Sequence, residues 1–268
     1  ERLVPLLEED ERQIVNEVPL EFKHIESIDF DHVWFSYDNN DVYALEDFTL
    51  SIKAGEFIGI VGPSGSGKST LLSLLMGLYK PSKGAIYING IDIANYDSSV
   101  LRHLMGYVFQ QAYLFKGSIK DNLTLFDTSI SHDDMVDAAK QVNLDSMIEQ
   151  LPEGYNTPVG YLGSLLSDGQ KQLLAFGRTL IRKTPILLLD EATANIDSHT
   201  EKQIQASIEN IRGSKTIVSI AHRLSTVQDA NEIVYIEYGK IKEKGSFNEL
   251  IELKGAFYNL WIRQKSGS

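Results

Sequence analysis

One stretch of nine residues restricts this chain more than any other: Gly62-Pro63-Ser64-Gly65-Ser66-Gly67-Lys68-Ser69-Thr70. It fits the pattern G-x-x-x-x-G-K-[ST]. Residues 56–61 before it form a short apolar run that predicts a strand. Leucines 71, 72, 74, 75 and 78 after it predict a helix with a broad buried face. The glycines let the backbone curl so that successive N–H groups face one point, and the helix adds its positive end. Lys68 can reach the outer phosphates of a bound polyphosphate, and the Ser69 hydroxyl can ligate Mg²⁺. A glycine-rich turn with a chance lysine has the same composition; the strand before and the helix after distinguish the two.

The rest of the composition narrows the setting. The chain has 268 residues, 43% of them hydrophobic and 23% charged, enough apolar material for a large core. Against 25 basic residues stand 37 acidic ones, a net charge of −12. Strong sequence-independent binding to nucleic acid needs a basic surface, so it is disfavoured. With no cysteine there can be no disulfide, thiolate zinc site or cysteine nucleophile. No run approaches the roughly 20 apolar residues that span a bilayer. The acidic N-terminus does not read as a signal peptide. Together these features lead us to expect a soluble, cytoplasmic chain. A sequence opening on Glu1 rather than methionine is expected to be a fragment.

Residues 1–26 carry two prolines and a charge run, and are expected to connect rather than to pack. Apolar residues at 28, 30, 33, 35 and 37 predict a strand, as does alternation over 45–53. Residues 117–182 read as mostly helical, with the clearest helices at 131–142 and 168–181 and a Pro/Gly-rich loop at 151–163. Strands are predicted at 85–89, 186–190, 215–221 and 232–237, and helices at 198–211 and 256–264. Strand–helix alternation at both ends implies a parallel sheet with helices on its faces and a helical insertion.

The strand Ile186-Leu187-Leu188-Leu189 ends in Asp190-Glu191. It points two carboxylates out of the end where α/β sheets bind ligands. Solvated acids at a strand terminus look the same; the phosphate-binding turn elsewhere in the chain favours a functional pair. Asp190 would then hold Mg²⁺, mainly through water, and Glu191 would act as general base toward an attacking water.

Taken with Leu166-Ser167-Asp168-Gly169-Gln170 at the start of a predicted helix, these residues resemble the nucleotide-binding domain of ATP-binding cassette (ABC) transporters. The resemblance covers residues 27–264. It implies an α/β fold: a P-loop, RecA-like parallel-sheet core, an N-terminal antiparallel β-subdomain and an inserted α-helical subdomain at about 117–182. It implies ATP and Mg²⁺ as cofactors, with Gly62, Pro63, Ser64, Gly65, Ser66, Gly67, Lys68, Ser69 and Thr70 around the phosphates. Tyr37 matches the aromatic that stacks on adenine, although a core aromatic is the plain alternative. Gln110, in Tyr107-Val108-Phe109-Gln110, matches the glutamine that senses Mg²⁺ and the membrane domain. His222 matches the switch histidine at the γ-phosphate. Ser167, Gly169 and Gln170 match the signature, which faces ATP held by the opposite subunit; an ordinary helix cap is the alternative. Ala194-Asn195-Ile196-Asp197 matches the loop that crosses between sites.

The segments at 114–123 and 151–155 resemble exporters. The resemblance therefore implies a transmembrane domain, fused or associated, a second nucleotide-binding domain, and a place at the cytoplasmic face of the membrane. Residues 1–26 would be a linker. A soluble cassette ATPase not coupled to transport and a non-hydrolysing regulatory subunit are the rival readings. Two positions depart from the family pattern. Asp168 stands where the signature usually has glycine, which suggests one half of a heterodimer with a weakened composite site. Tyr161 and Leu162 stand where exporters commonly carry a glutamate and a basic residue.

Overall fold

The computed structural model describes residues 25–38, 42–160, 163–192 and 196–266. The expected linker residues 1–24, the loop positions Tyr161 and Leu162, and Ala194 and Asn195 lie outside them. Strands β1 (Ser27–Phe35), β2 (Leu45–Lys53) and β3 (Phe57–Val61) come first, then helix α1 (Lys68–Leu75). Strands β4 (Lys83–Ile88) and β5 (Ile91–Asp92), helix α2 (Ser98–Leu104) and strand β6 (Met105–Val108) follow. Four helices form the middle: α3 (Ile119–Thr124), α4 (His132–Gln141), α5 (Asp145–Glu149) and α6 (Asp168–Ile181). The chain continues through β7 (Ile186–Asp190), α7 (Ser198–Ile211), β8 (Thr216–Ile220), β9 (Glu232–Glu237), β10 (Lys240–Gly245), α8 (Phe247–Leu253) and α9 (Ala256–Ser266).

Two sheets result. One is antiparallel, in the order β2-β1-β4-β5; the other runs β10-β9-β3-β8-β7-β6 and is parallel except for β10. The spacing of the apolar residues in β1 accounts for an irregularity there. Ile28, Phe30, Val33 and Phe35 are all buried, yet one step is three residues rather than two. A register shift between Phe30 and Val33, with His32 at φ 47°, absorbs the extra residue and returns Val33 to the core face.

The strands of the parallel sheet are apolar throughout because both faces are covered. Alternation still sorts their side chains. Ile58, Ile60, Ile186 and Leu188 pack toward the antiparallel sheet and α1, whereas Phe57, Val61, Leu187 and Leu189 pack toward the helices of the middle segment and α7. The fold is thus three layers with a core on each side of the central sheet.

Three expectations need correcting. Leu78 was expected on the buried face of α1, but the helix ends at Leu75, Gly77 takes φ +69°, and Leu78 is exposed. Ile25 was expected in a connector but is buried in the core. Tandem elements without a long apolar pattern escaped notice: α2, β6, α8 and β10. The last, Lys-Ile-Lys-Glu-Lys-Gly, is an edge strand, where exposed lysines discourage further pairing.

The middle helices are tied down by polar groups as well as by packing. Asn122 is fully buried. Its Oδ1 accepts from the Phe115 amide (2.8 Å), and its Nδ2 donates to the carbonyls of Phe115 (2.9 Å) and Ser118 (3.0 Å). Arg178 of α6 donates to the carbonyl oxygens of Asn122 (2.8 Å) and Tyr113 (3.0 Å). Burial lowers its guanidinium to about 10. Asn122→Ala leaves several buried donors and acceptors without partners and is expected to destabilise the chain by about 2–4 kcal/mol. Urea unfolding followed by circular dichroism checks this.

Candidate functional site

The carboxyl ends of β3, β7 and β8 lie side by side in the sheet, and the site forms there. After β3 the chain turns sharply at Gly62, whose added Cβ would lie 2.0 Å from the Ile236 carbonyl oxygen. At Gly67, with φ 102°, an added Cβ would lie 2.3 Å from that of Ala44. The loop is therefore held close between β9 and the start of β2, and no side chain fits at either position. Gly67 caps α1 without a side-chain bond, leaving the first N–H groups of the helix directed at the loop.

Lys68 is 6% exposed and folds back onto its own loop, donating to the carbonyls of Gly62 (2.9 Å) and Pro63 (2.8 Å). Burial lowers its pKa from the ordinary lysine value, while the nearby Glu191 and Asp190 carboxylates oppose that shift. A cleft of about 270 Å³ opens here, bounded by Tyr37, Ser64, Lys68, Thr70, Glu191 and His222. Ser69 also lines it. The Ser66 hydroxyl is buried without a hydrogen-bond partner.

Tyr37 stands at the edge of this cleft, 54% exposed. Its hydroxyl is 3.0 Å from Thr70 Oγ1, and its ring meets Phe35 and Tyr79 edge-to-face. It is not a core aromatic, which removes the plain alternative for this position.

Glu191 is the most constrained side chain of the site. It follows β7 with φ 51°, a left-handed conformation costly for a residue with a Cβ. Its amide donates to the Ile220 carbonyl (3.0 Å). Gln110 Nε2 donates to Glu191 Oε2 at 2.7 Å, and His222 Nε2 lies 2.7 Å from Glu191 Oε1. The structure thus joins three residues that lie 81 and 31 positions apart in the chain.

Asp190, one residue earlier, has a partner that the sequence did not single out. The Tyr107 hydroxyl donates to Asp190 Oδ2 at 2.7 Å. Burial, and then that bond, push the Tyr107 phenol well above its ordinary value, so it remains a donor. The signal was present but unread: Tyr107 sits three residues before Gln110 on β6, which pairs with β7. Gln172 was also missed. It is buried and donates to the Phe109 carbonyl (2.8 Å), tying α6 to the segment that carries Gln110.

The signature residues do not line this cleft. Ser167 caps α6: its hydroxyl accepts from the Gln170 amide (3.2 Å), and Gln170 Oε1 accepts from the Ser167 amide (2.9 Å). Gly169 packs so closely on Thr200 of α7 that an added Cβ would lie 2.5 Å from its hydroxyl. Asp168 is well exposed and pairs with Lys171 in the next turn at 2.9 Å. In this chain, then, the start of α1 borders the cleft, and a second helix start, at Ser167, lies outside it.

The profile of the ABC transporter family matches residues 45–194. The chain is 43% identical over 238 residues to the ABC transporter ATP-binding protein exp8 of Streptococcus pneumoniae, covering 89% of this chain and 40% of that one. It is 38% identical to the ATP-dependent lipid A-core flippase of Haemophilus influenzae, covering 90% of this chain and 41% of that one. A solved structure of a bacterial Atm1-family ABC exporter with ATP bound superposes with a TM-score of 0.84 at 39% identity, covering 90% of this chain and 42% of that one. The chain therefore spans about two fifths of the length of these relatives. Among the described residues no helix is long and apolar enough to cross a membrane. The antiparallel sheet, the mixed sheet and the covering helices are the fold these proteins share. The chain belongs to the ABC transporter family, as an ATPase domain.

Proposed function

We propose that this chain is the ATP-hydrolysing motor of an exporter, closing on a second nucleotide-binding domain and driving an attached transmembrane domain. The observation that carries this reading is the grouping of Lys68, Glu191, Gln110 and His222 at one cleft. ATP would lie with its adenine on Tyr37 and its phosphates over residues 62–70. The uncapped start of α1 supplies donors that suit a polyphosphate. On binding, Lys68 would exchange its two loop carbonyls for phosphate oxygens.

Mg²⁺ suits the donor set. Ser69, Asp190 and the Gln110 amide offer oxygen ligands, which hard cations prefer. Among the described residues no cluster of three His, Asp or Glu forms a metal cage, which agrees with a cation that takes most ligands from nucleotide and water. Bound Mg²⁺ would neutralise charge on the outer phosphates. Asp190 would be steadied by Tyr107 for this role. Glu191 would orient and deprotonate the attacking water, and His222 would steady both water and γ-phosphate. The contacts from Gln110 and His222 hold the Glu191 carboxylate in place before nucleotide arrives.

The lipid A-core flippase and the Atm1-family exporter among the relatives support export over a soluble ATPase. The intact Glu191 and His222 favour hydrolysis over a purely regulatory subunit. Residues 1–26 would form a linker, 27–268 the nucleotide-binding domain, and about 117–182 its helical subdomain. The assembly would sit at the cytoplasmic face of the membrane.

Asp168 supports a heterodimer. Its charge would stand at a signature meant to face a γ-phosphate, and repulsion there weakens the composite site closed by this chain. The ion pair with Lys171 offsets part of that charge, and the exposure of Asp168 allows solvent to screen more. Ser167, Gly169 and Gln170 would then contact the partner's nucleotide weakly.

Glu191→Gln is expected to lower ATP turnover by about 100-fold or more while leaving ATP affinity intact. Steady-state hydrolysis and a fluorescent-nucleotide titration measure the two; near-normal turnover excludes Glu191 as the base. Asp168→Gly, in the assembled transporter, is expected to raise nucleotide affinity at the partner's site by about three- to tenfold. Unchanged occupancy there would remove the case for a degenerate site.

A further inference from the structure

We propose that Gln264, near the end of α9, is a positioning residue for the switch histidine, His222; this rests on the reading of His222 given above. The two residues are 42 positions apart and share no motif. Gln264 Nε2 donates to the His222 carbonyl at 2.5 Å, and its Oε1 accepts from the Leu224 amide at 3.1 Å. One side-chain amide therefore bridges the backbone on both sides of Arg223, as a neighbouring strand would.

The segment gripped in this way is otherwise short of regular backbone pairing, since β8 ends at Ile220. Its side chains are held from two other directions. Arg223 pairs with Glu201 of α7, and the Ser225 hydroxyl donates to Glu201 Oε1 at 2.8 Å. His222 itself meets Glu191 at 2.7 Å. The contact to Glu201 fixes residues that follow the histidine, and the contact to Glu191 is the working one. Gln264 alone among these acts on the His222 backbone, and the carbonyl it fixes helps set the direction in which the imidazole leaves the chain.

Helix α9 can act as a support because its base is rigidly seated. Glu243 of β10 caps it, accepting from the amides of Ala256 (2.5 Å) and Phe257 (3.0 Å). Phe257 is fully buried, and Phe247 stacks edge-on against both Phe257 and Trp261. The end of the chain's last helix thus reaches back to a residue of the catalytic cleft. A donor and an acceptor in one plane are required, and asparagine is one methylene too short to supply them at this distance.

The test compares Gln264→Met, which keeps length and removes both polar atoms, with Glu243→Ala, which loosens the seat of α9 at its other end. Amide hydrogen exchange at Leu224 reports the bridge, and long-range proton–nitrogen spectra of the histidine rings report His222, assigned with His222→Ala. In Gln264→Met we expect faster exchange at Leu224, a changed ring-nitrogen signal from His222, and ATP affinity within twofold of the parent. Turnover in the assembled transporter should fall about tenfold in kcat with KM unchanged. Glu243→Ala, which acts on the bridge only through the helix, should move the His222 ring signal in the same direction and by less. The proposal is overturned if the His222 signal is unaltered in Gln264→Met, if Leu224 exchange does not change there, or if Glu243→Ala moves the ring signal as far as Gln264→Met does. These ring and exchange readouts need no turnover, so failure of the ATPase reading, which Glu191→Gln tests, is separately visible.

Discussion

The site depends on a single carboxylate held from two sides. Glu191 stands where β7 ends, in a left-handed backbone conformation, with Gln110 on one oxygen and His222 on the other. Strain of this kind, about 1–3 kcal/mol, persists only where surrounding contacts over-determine it. Here those contacts come from the neighbouring strands: Gln110 lies two residues beyond β6, His222 two beyond β8, and both strands pair with β7 in parallel register. The sheet order is therefore what assembles the chemistry. Moving either neighbouring segment would release Glu191 on one side.

Charge sets the second constraint. A chain of net charge −12 has to attract a polyanion. The features that run against this charge are local: the uncapped start of α1, and Lys68, buried close to the Asp190 and Glu191 carboxylates. Each of these is oriented by the fold, so none relies on the field of the whole protein, which points the wrong way. The same reasoning explains why Lys68 rests on two loop carbonyls. A buried ammonium needs acceptors, and those carbonyls supply them without closing the loop to phosphate.

The legibility of the chain followed the range of the interactions. The strand–turn–helix at residues 57–75 could be read because glycine spacing, an apolar run and a leucine face all act locally. Helices α6 and α7 were predicted at 168–181 and 198–211, and Ser167 and Asp197 cap them through their side chains. Helix α1 ended early because Gly77 outweighed the apolar Leu78, a competition between turn chemistry and periodicity that pattern alone resolves poorly. Strand β6 is four residues long and owes its place to pairing with β7, so nothing within it signals a strand. The partner of Gln264 lies 42 positions away and that of Tyr107 83 positions away, so neither contact can be read from local pattern, although the place of Tyr107 beside Gln110 was a hint.

The distribution of helix starts carries the last step. The α1 start has no side-chain cap and opens on the cleft, whereas the α6 start carries the Ser167–Gln170 capping box and lies outside it. The reciprocal bonds take up the Ser167 and Gln170 amides, two of the donors at this end. A phosphate approaching it must compete with the Ser167–Gln170 reciprocal bonds, and with Asp168 as well, although Lys171 already offsets that charge. The two ends therefore differ within the chain itself: α1 begins with no side-chain cap beside Lys68, whereas α6 begins with two amides and the Ser167 hydroxyl already paired.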